Sequence, residues 1–348
     1  MTTAVRQPTK RYDGYEAFTA GAIADGWSDG LPIVPPTAER VEEFLSTIGK
    51  DPWEVVGTIP TRDIEITAEQ VAANAVMAGC LPAYMPVVYA AVQGHLHRLG
   101  NAHCVTATLT GASQMVIVNG PVRREIGMNC GPGALGPGNR ANATIGRAVR
   151  LVVRNCVQSV PGVADRAAYS TPARYSYCFG EDEEATSWDP MHVERGFARD
   201  ESVATLNSMT DAFALFDDRS DVPDVLLDRL VHLCRVRPIN RDQYLGDERT
   251  MVILIGPEHR HILEGAGWSK ADVRSYLYPR LTAPHTRGEG ERDGQGLHTT
   301  GGPTDSSLAI SAPDKLLLIT AGGEGRQLSW ALFPHIASAV STPIIATH

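Results

Sequence analysis

Residues 177–197, YCFGEDEEATSWDPMHVERGF, crowd Cys178, Glu181, Asp182, Glu183, Glu184, Asp189, His192, Glu194 and Arg195 into eighteen positions. Carboxylates beside an imidazole and a thiol shift one another's proton affinities, which suits acid–base or nucleophilic work. Glu181 and His192 are the acid–base candidates here, and Cys178 the candidate nucleophile. A solvated acidic turn would also produce Glu-Asp-Glu-Glu. The interleaved Tyr, Cys, Trp and His are unusual for a plain exposed run. No ligand spacing of the His-Glu-x-x-His kind is present, so no metal ligands are assigned.

A second stretch, NCGPGALGPGNRANATIGRAVRLVVRN at 129–155, joins glycines 131, 133, 136 and 138 to a helical run. Glycine lets a ligand approach the backbone. A helix starting near Asn139 would offer free N–H groups and a favourable dipole to an anion. Arg140, Arg147 and Arg154 recur every seven residues along one face. Gly138, Asn139, Arg140 and Arg147 are therefore candidates to bind a small anionic substrate. The spacing is neither a Walker loop nor Gly-x-Gly-x-x-Gly, so no nucleotide is inferred and the cofactor is unknown. Glycines serving only a tight loop, with arginines on a solvated face, would give the same pattern. Cys130 sits nine residues before the helix start, too far for its dipole to activate the thiol.

The third stretch, TAGGEGRQLSW at 320–330, puts a glycine pair directly after the apolar run KLLLIT. Open α/β sheets bind ligands beyond the carboxyl ends of their strands, which makes Gly322, Gly323 and Arg326 binding candidates. The run ending LIGPEHRH would set Gly256, Pro257, Glu258 and His259 on the same edge. A sharp strand-to-helix turn is the plainer explanation of each.

The elements that must carry these residues read as α/β, two-domain, with a C-terminal part built on a mostly parallel sheet flanked by helices. Residues 1–220 form the expected N-terminal α/β domain with the glycine loop and the acidic Cys/His segment. Residues 221–348 form the C-terminal α/β domain, with a long Gly-rich loop at 284–306. Thr67 and Gln70 make a capping box for a helix, and Ser269 caps another. Strands are expected at 104–109, 114–118 and within 250–256, and a helix over RQLSWALFPHIASAV. Asp25, Trp27 and Asp29 lie in a proline-rich joint that reads as a structural turn.

The chain has 348 residues, 43% hydrophobic and 20% charged, with a net charge of −9. That balance argues against nucleic acid as a partner. No apolar run is long enough for a membrane span, and the N-terminus lacks a signal-peptide core, so a cytoplasmic location and no membrane are expected. None of the six cysteines forms a Cys-x-x-Cys pair, which leaves them as reduced, mostly buried thiols.

Taken together, DGWSDGLPIVPPT, GALGPGNRANATIGRAVRLVVRN, YSYCFGEDEEATSWDPMHVERGF and GPEHRHILEGAGWSKADVRSYL resemble a bacterial family whose members are encoded beside small proteins with a UGSC or CGSC motif. The resemblance spans about residues 25–332. It implies a bacterial cytoplasmic protein working with a small thiol- or selenol-bearing partner in small-molecule metabolism. It supplies no catalytic residue. This chain has no UGSC motif of its own.

The residues thus point to a small-molecule enzyme, or the larger subunit of one, of the lyase or hydrolase type. It would cleave a carbon–heteroatom bond of a small anionic substrate by acid–base chemistry, without a nucleotide cofactor. Its site would lie between the two halves of the chain, and the expected assembly is an oligomer. Two alternatives stay open: a non-catalytic scaffold for the UGSC/CGSC-type thiol protein, and a thiol redox enzyme using its own cysteines.

Overall fold

The computed structural model describes residues 10–235, 249–283 and 310–345. The expected Gly-rich loop at 284–306 lies outside them. In chain order the helices are α1 (Tyr15–Ala24), α2 (Ala38–Ser46), α3 (Ala68–Ala78), α4 (Met85–Leu96), α5 (Ala102–Thr106), α6 (Val122–Glu125), α7 (Arg140–Asn155), α8 (Met191–Glu194), α9 (Pro223–Arg235), α10 (Pro257–Gly265) and α11 (Lys270–Thr282). The strands are β1 (Val55–Ile59), β2 (Ile64–Thr67), β3 (Ser113–Asn119), β4 (Cys178–Gly180), β5 (Val203–Phe216), β6 (Met251–Ile255), β7 (Leu316–Thr320), β8 (Leu328–Pro334) and β9 (Val340–Pro343).

β1 and β2 form a small hairpin, and the other strands join one seven-stranded sheet in the order β4-β3-β5-β8-β6-β7, with β9 paired to β5. The architecture is α/β, and the C-terminal strands carry flanking helices as expected. The sheet is mixed: β3–β4 and β6–β7 are parallel, whereas β5 and β8 run antiparallel to their neighbours. β5 and β8 pair across position 220, so both halves of the chain share this sheet.

Strand alternation sorts the side chains into three cores. Val116 and Val118 of β3 and Leu206 of β5 meet the apolar faces of α3, α4 and α7. Met251, Ile253 and Ile255 of β6 lie under α9, α10 and α11. The remaining faces meet each other: Met115 and Ile117 of β3 and Phe179 of β4 pack with Leu254, Ile319 and Leu332 of β6, β7 and β8. Each such fully buried aliphatic contributes about 1.5–3 kcal/mol. Helices therefore cover the outer faces, and the two half-sheets cover each other.

Local signals set the ends of the helices. Thr67 and Gln70 form the expected capping box, and Gly79, at φ 88°, stops α3 in the left-handed conformation. Ser269 caps α11 through Asp272. Two expectations are corrected. Residues 104–109 are not a strand, because α5 occupies 102–106 with Val105 fully buried beside Ala112 and Ala337. Residues 326–340 are not a helix but β8 and the approach to β9. LSWALF fits an apolar stripe at either period. The open edges of β5 and β6 decide for the strand, with Leu254↔Trp330 and Ala214↔Trp330 in register. Among the described residues no helix is long and apolar enough to cross a membrane.

Candidate functional site

The acidic segment leaves β4 and turns back into the molecule. Glu181 is fully buried; its Oε2 accepts from Asn119 Nδ2 at 2.7 Å and from the Met191 amide at 2.7 Å, and its Oε1 accepts from Lys270 Nζ at 3.0 Å. Both carboxylate oxygens are thereby engaged, and the carboxylate joins β3, α8 and α11. Glu183 accepts from Asn119 and from the Gly120 amide and pairs with the buried Arg123. His192 is also fully buried; its Nδ1 is 3.8 Å from Glu183 Oε1, and among the described residues neither ring nitrogen has a hydrogen-bond partner. Cys178 packs under α7, where a Cβ on Gly146 would come within 3.2 Å of its own Cβ. Burial pushes the Cys178 thiol up, away from the thiolate a nucleophile needs. Glu181, His192 and Cys178 are thus close in sequence but do not face a common open space.

The arginine row on α7 is committed to protein partners. Asn139 caps the helix, accepting from the Asn142 amide at 3.1 Å and donating to Gly127 O at 2.7 Å. Arg140 donates twice to Gly79 O, the C-terminal end of α3. Arg147 grips Asp29 with two 2.8 Å bonds, and Arg154 donates to Gly26 O. Burial opposes ionisation of Asp29, but Arg147 outweighs it, and the carboxyl titrates below its ordinary range. The seven-residue repeat therefore docks the joint at 26–32 onto α7 rather than holding an anion. Asp29 belongs to that dock.

The glycine loop has a different setting. Asn142, buried in the first turn of α7, donates to Asn129 O and Ala134 O and accepts from the Asn129 amide. Asn129 in turn holds the Gly131 amide and Pro132 O. So braced, the loop lies against the turn after β7. The Gly322 amide donates to Cys130 O at 2.9 Å, and a Cβ on Gly323 would lie 2.3 Å from Pro132 Cγ. Only glycine permits that approach.

Between the two turns opens a cleft of about 320 Å³, lined by residues 132–135, Leu254, Gly256, Pro257, residues 321–324, Arg326, Leu328 and Trp330. Its floor is the outer end of the core between the half-sheets, where Ala134, Leu254, Ala321 and Trp330 meet. It lies beyond the carboxyl ends of the parallel strands β6 and β7, the expected ligand position in such sheets. The volume is at the small end of metabolite pockets. The walls are apolar and the rim is polar. Glu324 and Arg326 are exposed at the lip, with the Arg326 guanidinium 5.3 Å from the Phe216 ring centre. Arg326 has no carboxylate partner among the described residues. Glu258 fastens the turn by accepting from the Gly325 amide at 2.7 Å.

Asp182 stands beside the cleft. Its amide donates to Thr320 O at 2.8 Å, and Thr320 Oγ1 donates to Asp182 O at 3.0 Å, one residue before the cleft-lining Ala321. Burial and then the charge of Glu184 push its carboxyl above the ordinary range, against the pull of Arg123 and Arg260. Cys130 adjoins it. Burial raises that thiol although Arg123 Nη1 is 3.7 Å from the sulfur. The structure thus gathers Gly322, Gly323 and Arg326 with the glycine loop. Gly138 stays in that loop outside the lining. Glu181, His192, Cys178, Asn139, Arg140 and Arg147 serve the framework. Trp330 and Leu328 escape a reading that makes 326–340 a helix. Asp182 is visible in the acidic run but carries no mark separating it from its neighbours.

No family model, curated protein or solved structure matches this chain. Among the described residues no group of three or more His, Cys, Asp or Glu is placed to hold a metal.

Proposed function

We propose that the chain is a small-molecule enzyme that binds a small anion with an apolar body in this cleft. The reaction is cleavage of a carbon–heteroatom bond by acid–base chemistry, with Asp182 as the proton-transfer group. The observation that carries the reading is the cleft itself, where the glycine loop and the turn after β7 close over apolar walls at the carboxyl ends of two parallel strands. Arg326, a cation without a carboxylate partner among the described residues, is the counter-charge for the anion. Trp330, Leu254 and Leu328 fit the apolar body. A carboxyl whose proton affinity is raised by burial is suited to give and take a proton nearer neutral pH. A thiol step would fall to the partner protein that the resemblance implies, because burial raises the Cys130 and Cys178 thiols here.

Binding is tested with benzoate, phenylacetate and phenyl phosphate by calorimetry on the full chain. Arg326→Ala is expected to weaken binding about tenfold, in keeping with one charge-assisted contact. Leu135→Trp is expected to block binding by filling the cleft. Asp182→Asn should keep binding and lose turnover of a substrate found by screening. Anion binding that survives Leu135→Trp would place the ligand elsewhere and overturn the reading.

A further inference from the structure

Away from the cleft, the helix-covered side of β3 buries an unusual polar cluster. Gln114 of β3 and Ser208 of β5 are register partners, so their side chains stand side by side on the face that meets α4 and α7. His95 of α4 and Arg150 of α7 are buried in the helices on this side, and the ring of His95 lies in the field of the Arg150 charge. Gln114 and Ser208 have no exposure, and His95 and Arg150 are 1% and 8% exposed. Arg150 donates to Gln114 Oε1, and its Nε donates to Arg174 O at 3.1 Å. Arg174 pairs with the buried Asp165 at 2.6 Å.

The charges do not balance. Arg150 and the largely buried Arg174 are two cations, and Asp165 is their one close anion among the described residues. Arg150 itself touches only neutral acceptors, and no carboxylate lies within pairing distance of it among the described residues. Asp29, the other acid in its field, is already held by Arg147. His95 cannot help: burial, then Arg150 and Arg62, lower it to about 3, so the ring stays neutral. The hydrogen bonds are unbalanced in the same direction. Among the described residues Gln114 Nε2, the proton-bearing nitrogen of His95 and the Ser208 hydroxyl find no acceptor. A buried charge needs a partner, and buried donors need acceptors. Each deficiency here is met by one negative, acceptor-only group.

We infer that Gln114, Ser208, His95 and Arg150 together form a binding site for a small monovalent anion, a halide or a formate-sized carboxylate. The anion neutralises Arg150 and accepts from Gln114 Nε2, Ser208 and His95. Because it ties β3 and β5 to α4 and α7, it stabilises the first half of the fold. The site is independent of the cleft, since the lining residues of the two do not overlap.

The test uses the full chain, melted in increasing sodium bromide or sodium formate against sodium gluconate at equal ionic strength. A saturable rise in Tm of about 2–4 °C with either small anion is expected. A bromide soak should give an anomalous peak in contact with Arg150 and Gln114. Gln114→Glu supplies an internal carboxylate at the same place. It is expected to raise Tm in gluconate and to abolish both the anion-dependent rise and the peak. No anion-dependent rise in the native chain and no peak would overturn the inference. So would an anion response unchanged in Gln114→Glu. Should Gln114→Glu fail to fold, Ser208→Asp makes the same replacement from β5.

Discussion

If the arginines of α7 are docking groups, breaking the Arg147–Asp29 pair must loosen the N-terminal joint and leave the cleft intact. The two side chains are only 14% and 16% exposed and meet through two 2.8 Å bonds. At about 4 Å between charge centres and an effective dielectric of about 20, the attraction is about 4 kcal/mol. Desolvation and side-chain ordering offset roughly half, leaving a coupling of about 2 kcal/mol. A cycle of Arg147→Ala, Asp29→Asn and the double variant isolates it. The bonds of Arg147 to Leu31 O and Pro32 O, and of the Leu31 amide to Asp29, largely cancel in the cycle. For a chain of this length about 2 kcal/mol corresponds to about 3 °C in Tm. The sign of the pH dependence is fixed as well. Asp29 titrates lower in the folded chain than unfolded, so its contribution is complete above the ordinary aspartate range near pH ~3.9 and is lost as pH falls through the depressed value. A coupling below about 0.5 kcal/mol, with loss of anion binding in Arg147→Ala, would refute the docking assignment and return Arg147 to the ligand.

Two further expectations concern the buried framework. Lys270→Met should destabilise by about 3–5 kcal/mol, since it leaves the Glu181 carboxylate buried without its cation, and Lys270→Met with Glu181→Gln should recover part of that loss; denaturant melts of the single and double variants check it, and a neutral Lys270→Met would contradict the buried pair. Cys178, together with Cys80, Cys156 and Cys234, whose thiols burial lifts to about 12, should resist iodoacetamide at neutral pH until the chain unfolds; rapid native-state labelling of Cys178, read by mass spectrometry, would show the thiol to be accessible.

How much of this was legible in the sequence depends on whether a signal is local. The capping box at Thr67 and the caps at Ser269 and Asn139 depend on residues three apart, and all three are found. The turns at Gly322–Gly323 and Gly256 are recognisable because a glycine follows an apolar strand. The path of β8 is not local. LSWALFP becomes a strand because β5 and β6 each present an edge to it, and those edges are set by residues more than seventy positions away. The same holds for the roles of charged residues. Arg147 and Arg326 look alike in sequence. What separates them is that the 29–147 pair forms across a fold, whereas among the described residues no carboxylate pairs with Arg326 at the lip of the cleft.

The glycines explain why the cleft is poor in functional side chains. Its rim forms where backbones meet too closely for a Cβ: Gly323 against Pro132, and Gly256 against Leu328 O, 2.1 Å from where a Cβ would stand. Such contacts shape a rigid opening, but they hand the ligand backbone amides and carbonyls rather than acids and bases. Charge must then come from residues just outside the contact, which limits the choice to Arg326 and Glu324 at the lip and Asp182 behind Thr320. The carboxylates that dominate the acidic run are excluded for a different reason. Glu181 and Glu183 already satisfy Lys270, Arg123, Asn119 and two backbone amides, so drawing either into chemistry would leave those donors buried and unpaired. Asp182 lies in the same run without such duties toward Lys270 or Asn119, and its backbone is bonded to Thr320 next to the cleft-lining Ala321, which is why the proposed mechanism turns to it.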